Sequence, residues 1–480
     1  MRTENRKPKT ENRKPKTMNY LFYILLGLFA FLPLPRGSTF DWAWLLMSVA
    51  VFAMVAVWLI WYRQGKVSIT PAFRSARFVM ILMMIWLAWN FLQIVPLPIG
   101  LLERIAPLSA ELYRLATPSI SFAPISIDVN ATREQLITGL SYVLIFALVL
   151  LLVDSVKRLR VFALWLVILG VIQAVIASLT LFGGQEIFYG SSSAQGTFAN
   201  RNQLAGFLEL NLAIGIGLLL SSMSEHHSRS WRERVRGWAK TLLSRKVRLR
   251  IYLAIMVITL VLTHSRMGNT AFFASMTIAG ILALLLMKRS PRPVVILLTS
   301  LVIIDIFIVS QWFGLDQLQQ RFEDMRQEKV SLDIRTNTLN RLNTSMQTRA
   351  LHKDAALTGT GAGTFFVIFP AYQDIGQPGF FQHAHNDYLE FMSDTGWIGI
   401  IILGSIVALT FSAAIFAMRR RRHPLMRGMA FSSVMGILSL MIHSTTDFNL
   451  RVPSNAALFM VVLALGWIAL AMPVEKKERD

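Results

Sequence analysis

Phe380-Phe-Gln-His-Ala-His-Asn-Asp-Tyr-Leu-Glu-Phe-Met-Ser-Asp-Thr-Gly-Trp397 stands where a long polar loop re-enters an apolar run. From Trp397 the chain stays mostly apolar for about 20 residues, the length a helix needs to cross a bilayer. Just upstream, Asn386 can cap a helix whose first turn carries Asp387 and Glu390, and Gly396 can stop that helix. Trp397 then falls where an aromatic belt residue marks the water–lipid boundary. His385 is therefore expected at a helix start just outside a membrane, with His383 two residues before it. Histidine is the side chain best suited to exchange a proton near neutral pH. Two readings stay open from these residues: a proton-transferring site, or a polar loop whose histidines merely cap the helix.

The rest of the chain repeats the apolar pattern. Of 480 residues, 54% are hydrophobic and 16% charged, too apolar for a soluble globular chain. The fold class expected is all-α: a polytopic membrane protein of about twelve transmembrane helices. The spans read as 20–34, 42–61, 78–95, 135–153, 161–182, 203–222, 250–264, 267–287, 294–313, 397–418, 428–446 and 455–472. With both termini inside, the inner segments after residue 17 hold 27 Lys and Arg, against 14 in the outer ones. Seven of those 14 lie in one long loop, and long loops say little about orientation. The net charge of +21 is thus a signature of cytoplasmic loops rather than of nucleic-acid binding, which would need one basic face with base-reading chemistry. There is no cysteine, which excludes disulfides, thiolate metal sites and cysteine nucleophiles.

Four segments follow. Residues 1–17 contain the tandem repeat Thr3–Lys9 and Thr10–Lys16, expected to be disordered, with Met18 reading as the natural start. Residues 18–134 form an N-terminal transmembrane region with an interfacial helix, expected from the spacing of Ile99, Leu102, Ile105, Leu108, Leu112 and Leu115. Residues 135–473 hold the remaining spans and the long outer loop 314–396 between spans nine and ten, with helices expected over 316–329 and 333–356. Residues 474–480 are a cytoplasmic tail. Gly359-Thr-Gly-Ala-Gly363 reads as a tight turn, since no Lys-Ser/Thr follows it as a phosphate loop requires.

Charges near or inside spans are functional by default. Arg201 lies at the outer mouth of span six, with Glu209 two turns deeper. Arg266 lies in the short turn before span eight, Asp305 in span nine, and His443 and Asp447 close span eleven, followed by Arg451. Two arginines at one depth suit a diphosphate, because guanidinium forks bind phosphate oxygens bidentately. The competing reading pairs Arg201 with Glu209 and lets Arg266 reach lipid headgroups. Metal-ligand spacing is missing: His383 and His385 are two apart and there is no His-Glu-x-x-His, so no metal or cofactor is expected.

His383-Ala-His-Asn-Asp-Tyr-Leu-Glu390 with Thr395-Gly-Trp-Ile-Gly399 resembles the signature of the O-antigen ligase and polysaccharide polymerase superfamily. Gly196-Thr-Phe-Ala-Asn-Arg-Asn202, Thr263-His-Ser-Arg-Met-Gly268, Gly359-Thr-Gly-Ala-Gly-Thr-Phe365 and Asp447-Phe-Asn-Leu-Arg-Val-Pro453 resemble its other blocks, in the same order. The resemblance implies a multi-pass glycosyltransferase of the bacterial inner membrane, independent of metal and inverting. Its donor would be a glycan on undecaprenyl diphosphate, presented at the periplasmic face. The acceptor would be lipid A core in a ligase, or a growing glycan in a polymerase. Membrane lipids are the other partners, and a lipid-linked glycan transporter is the non-enzymatic alternative. By the same resemblance His385 is the catalytic base, and Arg266 and Arg201 bind the diphosphate, although Gln195 stands where some relatives carry a basic residue. His383, Asn386, Glu390 and Arg451 are supporting residues, with Arg451 the alternative anchor for phosphate.

Overall fold

The computed structural model describes residues 17–182, 193–223, 245–286, 344, 346–374 and 380–474. Besides a helical stretch over 346–354, fifteen α-helices lie within them. They are α1 Thr17–Phe31, α2 Asp41–Arg63, α3 Pro71–Ser75, α4 Arg77–Leu92, α5 Ile99–Ile105, α6 Pro107–Ala116, α7 Val129–Leu152 and α8 Val156–Phe182. After these come α9 Arg201–Met223, α10 Arg245–Leu262, α11 Arg266–Leu286, α12 Phe365–Ile368, α13 Asp387–Arg420, α14 Pro424–His443 and α15 Pro453–Ala471. The only strands among the described residues are a two-residue antiparallel pair, Leu97–Pro98 with Phe122–Ala123.

Eight of these helices are long and apolar enough to cross a membrane: α2, α7, α8, α9, α11, α13, α14 and α15. The expected twelve are therefore seen in part. α1 and α4 are apolar but shorter, and α10 opens with Arg245, Lys246, Arg248 and Arg250, which shortens its apolar stretch. The expected span 294–313, with Asp305, and the expected helix 316–329 lie outside the described residues, while 346–354 is helical.

Burial sorts the helices into a centre and a rim. In α9, 94% of the apolar stretch is buried, in α15 83% and in α14 78%, against 33% in α2 and 28% in α13. The centre closes through small residues: a Cβ on Gly217 would strike Gly428 O and Ser432 Oγ, so α9 and α14 touch backbone to backbone. Phe431, Leu212 and Leu463 are fully or almost fully buried around them.

The connections gather at one end of this bundle. Ser454 N donates to Gly37 O at 3.1 Å and Ala194 N to Leu262 O at 3.2 Å, while Asp387 N donates to Ser444 O at 3.0 Å. The expected interfacial helix is instead two short helices, α5 and α6. Pro107 lacks the N–H that a continuous helix needs and pushes Ala106 to φ −142°, ψ 65°. Leu102, Ala106 and Ala110 of this pair form a small core with Ala123 and Ile125 from the chain that follows.

Arg63, Lys66, Arg74, Arg77, Lys157, Arg158, Arg160 and Arg419 to Arg422 lie at the opposite end. The positive-inside rule predicts that this basic end faces the cytoplasm. In the cysteine-free chain, a cysteine at exposed Gln382 is expected to react with an impermeant maleimide in intact spheroplasts, and one at exposed Gln64 only after lysis. The reverse pattern would invert the topology.

Candidate active site at one end of the bundle

The segment before α13 is held in a strained shape. Asn386 is extended and caps the helix, its Oδ1 accepting from Leu389 N at 3.1 Å while its Nδ2 donates to Thr445 O at 2.8 Å. His385 takes φ +50°, the left-handed region, at a cost of about 1–3 kcal/mol that the surroundings must offset. Asp387 N donates to both Ser444 O and Asp447 O, and Ser444 Oγ donates to Asp387 Oδ2 at 2.6 Å. The Phe448 ring supports both histidines: His383 stacks on it at 4.2 Å and His385 meets it edge-on at 5.2 Å.

Glu390 is the hub beneath. Its Oε1 lies 2.9 Å from His383 Nδ1 and 2.9 Å from Arg451 Nε, and its Oε2 accepts from Ala384 N at 2.9 Å. Arg451 Nη2 lies 2.5 Å from Asp394 Oδ2, Nη1 donates to Gln135 Oε1 at 3.3 Å, and the guanidinium sits 4.4 Å from the Phe391 ring centre. Burial works against the Arg451 charge, and the Asp394, Glu390 and Asp387 carboxylates outweigh it, raising its pKa above the ordinary arginine value.

The glycine run is a turn, and its amides serve a carboxylate of the protein itself. Gly359, Gly361 and Gly363 all have positive φ. Gly363 N donates to Asp394 Oδ2 at 2.8 Å and Phe365 N to Asp394 Oδ1 at 3.1 Å. Gln93 ties the turn down, its Nε2 donating to Thr358 O and Asp394 O and its Oε1 accepting from Ala362 N. Gly396 interrupts the helix as expected. At φ +64°, ψ −169° its backbone is non-helical, a second helical stretch then runs to Arg420, and Ala356 O beside the glycine run accepts from the Trp397 amide.

His383, His385, Asn386, Glu390 and Arg451 thus form one cluster. Arg201 and Arg266 stand apart from it, as the exposed first residues of α9 and α11, and neither guanidinium has an ion-pair partner among the described residues. The competing Arg201–Glu209 pair does not form, because Glu209 is bonded to His443 and Ser439. Asn202, the residue after Arg201, does touch the cluster, its Nδ2 donating to Asp447 Oδ2 beside Phe448. Arg451 is not an open anchor for phosphate: its side chain is 6% exposed and lies between two carboxylates. Among the described residues no group of three or more His, Asp or Glu is arranged to hold a metal ion.

Sequence reasoning passed over Gln93, Gln135, Asp394 and Phe448 as parts of the site. The signal for the first two was a glutamine near the end of an apolar run, where an amide needs a polar partner.

A helical bundle with a polar cluster at one end and apolar helices long enough to cross a bilayer defines a multi-pass membrane protein. Residues 251–404 match the family model Wzy_C, O-Antigen ligase, in line with the resemblance to the O-antigen ligase superfamily. The matched region contains Arg266 and the His383–Glu390 block. Comparison with curated proteins gives no match.

Proposed function

We propose that this protein is an inner-membrane glycosyltransferase of the O-antigen ligase type, moving a glycan from undecaprenyl diphosphate to a hydroxyl of lipid A core at the periplasmic face. The observation that carries the reading is the placing of Arg201 and Arg266. Each is an exposed guanidinium without an ion-pair partner among the described residues, at the start of a helix on the end that carries His385. Helix N-termini and guanidinium forks both favour a diphosphate.

The chemistry follows from that placement. The acceptor oxygen attacks the anomeric carbon, and the bond from that carbon to the phosphate oxygen breaks with its electrons on the diphosphate. The arginines stabilise that charge more in the transition state than before it, and no divalent ion is needed to do so. The acceptor's proton passes to a ring nitrogen of His385. His383 commits its Nδ1 to Glu390 and its ring face to Phe448, which supports His385 as the base. One displacement inverts the anomeric centre. A repeat-unit polymerase would use the same donor site with a lipid-linked glycan as acceptor.

Arg201→Ala and Arg266→Ala are each expected to lose most transfer in membranes supplied with lipid-linked donor. Lysine at either position is expected to restore only part, lacking the bidentate fork. Full transfer by Arg266→Ala and Arg201→Ala alike would overturn the donor site.

A further inference from the structure

A buried acid–histidine pair joins the three helices on which the site is built. Glu209 in α9 and His443 at the end of α14 are both wholly buried. His443 Nδ1 lies 2.8 Å from Glu209 Oε1, and Ser439 Oγ donates to Glu209 Oε2 at 2.7 Å. The third helix, α11, closes on the same carboxylate. A Cβ on Gly268 would come to 3.0 Å from Glu209 Oε1 and 2.7 Å from Ala205 Cβ, so glycine is what lets the first turn of α11 approach.

Each of these helices carries one functional element. Arg201 opens α9, about two turns above Glu209. Arg266 opens α11, two residues before Gly268. The end of α14 and the turn after it seat His385: Met441 O accepts from Tyr388 Oη, Ser444 O from Asp387 N, and Thr445 O from Asn386 Nδ2. A buried pair of ionisable groups adds little net stability, and its best-attested use is to fix the register of the elements that carry it. Inside a membrane such groups are costlier still.

We infer that Glu209 and His443 are a positioning pair that sets the register of the Arg201 and Arg266 helices against the seat of His385. The inference rests on the assignment of those residues to donor and base. Loss of the pair leaves both arginines on their helices, so donor binding persists while the reacting groups shift. A displacement of about 1 Å costs on the order of 10²-fold in rate.

The test uses the full-length protein in detergent with undecaprenyl-diphosphate-linked glycan. Glu209→Ala and His443→Ala are expected to lower kcat about 10²-fold while KM for the donor changes by less than about threefold. Glu209→Gln keeps an acceptor for Ser439 and is expected to lose less than about tenfold. The exchanged variant, Glu209→His with His443→Glu, is expected to recover most of the Glu209→Ala loss.

A second readout needs no activity. Spin labels on cysteines at Ala199, before α9, and Gln382, before α13, report the register in the otherwise cysteine-free chain. Their distance distribution is expected to shift or broaden in Glu209→Ala and Glu209→Gln, least in the latter, and to return in the exchanged variant. An unmoved distribution in both single variants overturns the inference, as does an unchanged kcat in Glu209→Ala. If the distribution moves while His385→Ala remains active, the register role stands and the base assignment fails.

Discussion

Arg451→Ala is expected to destabilise the protein by about 3–5 kcal/mol, because it leaves two carboxylates buried without their cation. Glu390 and Asp394 have side-chain exposures of 3% and 1%, so bulk solvent scarcely reaches either carboxylate. The effect is expected as a large drop in melting temperature of the detergent-solubilised protein. Lysine at 451 is expected to recover only part, since one ammonium cannot reproduce the fork that meets Glu390 through Nε and Asp394 through Nη2. The decisive comparison adds Glu390→Gln and Asp394→Asn to Arg451→Ala. Removing the orphaned charges is expected to restore melting temperature above that of the single variant. A single variant that melts with the parent would show that the cluster contributes nothing to holding α13 against the turn after α14.

The elements that local chemistry specifies were legible in the sequence. Asn386 reads as a cap because its amide suits an extended N-cap position, and it caps α13. The glycine run reads as a turn because no other residue takes three positive φ values so close together, and it is a turn. The match of 251–404 to the O-antigen ligase family model was legible from the blocks around Arg266 and His385. What stayed hidden is pairing between distant segments, which leaves no periodic trace. Glu209 and His443 stood out singly as charged groups in spans, yet 234 residues separate them. Asp394 lay inside the stretch first quoted, but its partners Gly363, Phe365 and Arg451 come from two other loops. The break in the expected interfacial helix stayed hidden because apolar spacing ran straight through Pro107, whose backbone chemistry outweighs the pattern.

His385→Ala is expected to be nearly silent in cells, since losing a general base costs about 10²–10⁴ in rate. The strained φ of His385 gives a reason to expect the loss to be catalytic rather than structural. Alanine relieves no buried charge, and the bonds that hold the segment come from Asn386 and Asp387. His383→Ala removes a partner of Glu390 that Arg451 and Ala384 N still serve, so it is expected to keep measurable transfer. The stalled donor then identifies the reaction. In a ligase, the His385→Ala strain is expected to accumulate long glycans on undecaprenyl diphosphate beside unmodified lipid A core. In a polymerase, single repeats accumulate instead. Electrophoresis of lipopolysaccharide with extraction of carrier-linked glycan reads both outcomes together. Normal glycan in His385→Ala would remove the base assignment. Normal lipopolysaccharide with loss of a secreted polysaccharide would remove the ligase reading while leaving the Arg201 and Arg266 donor site in place.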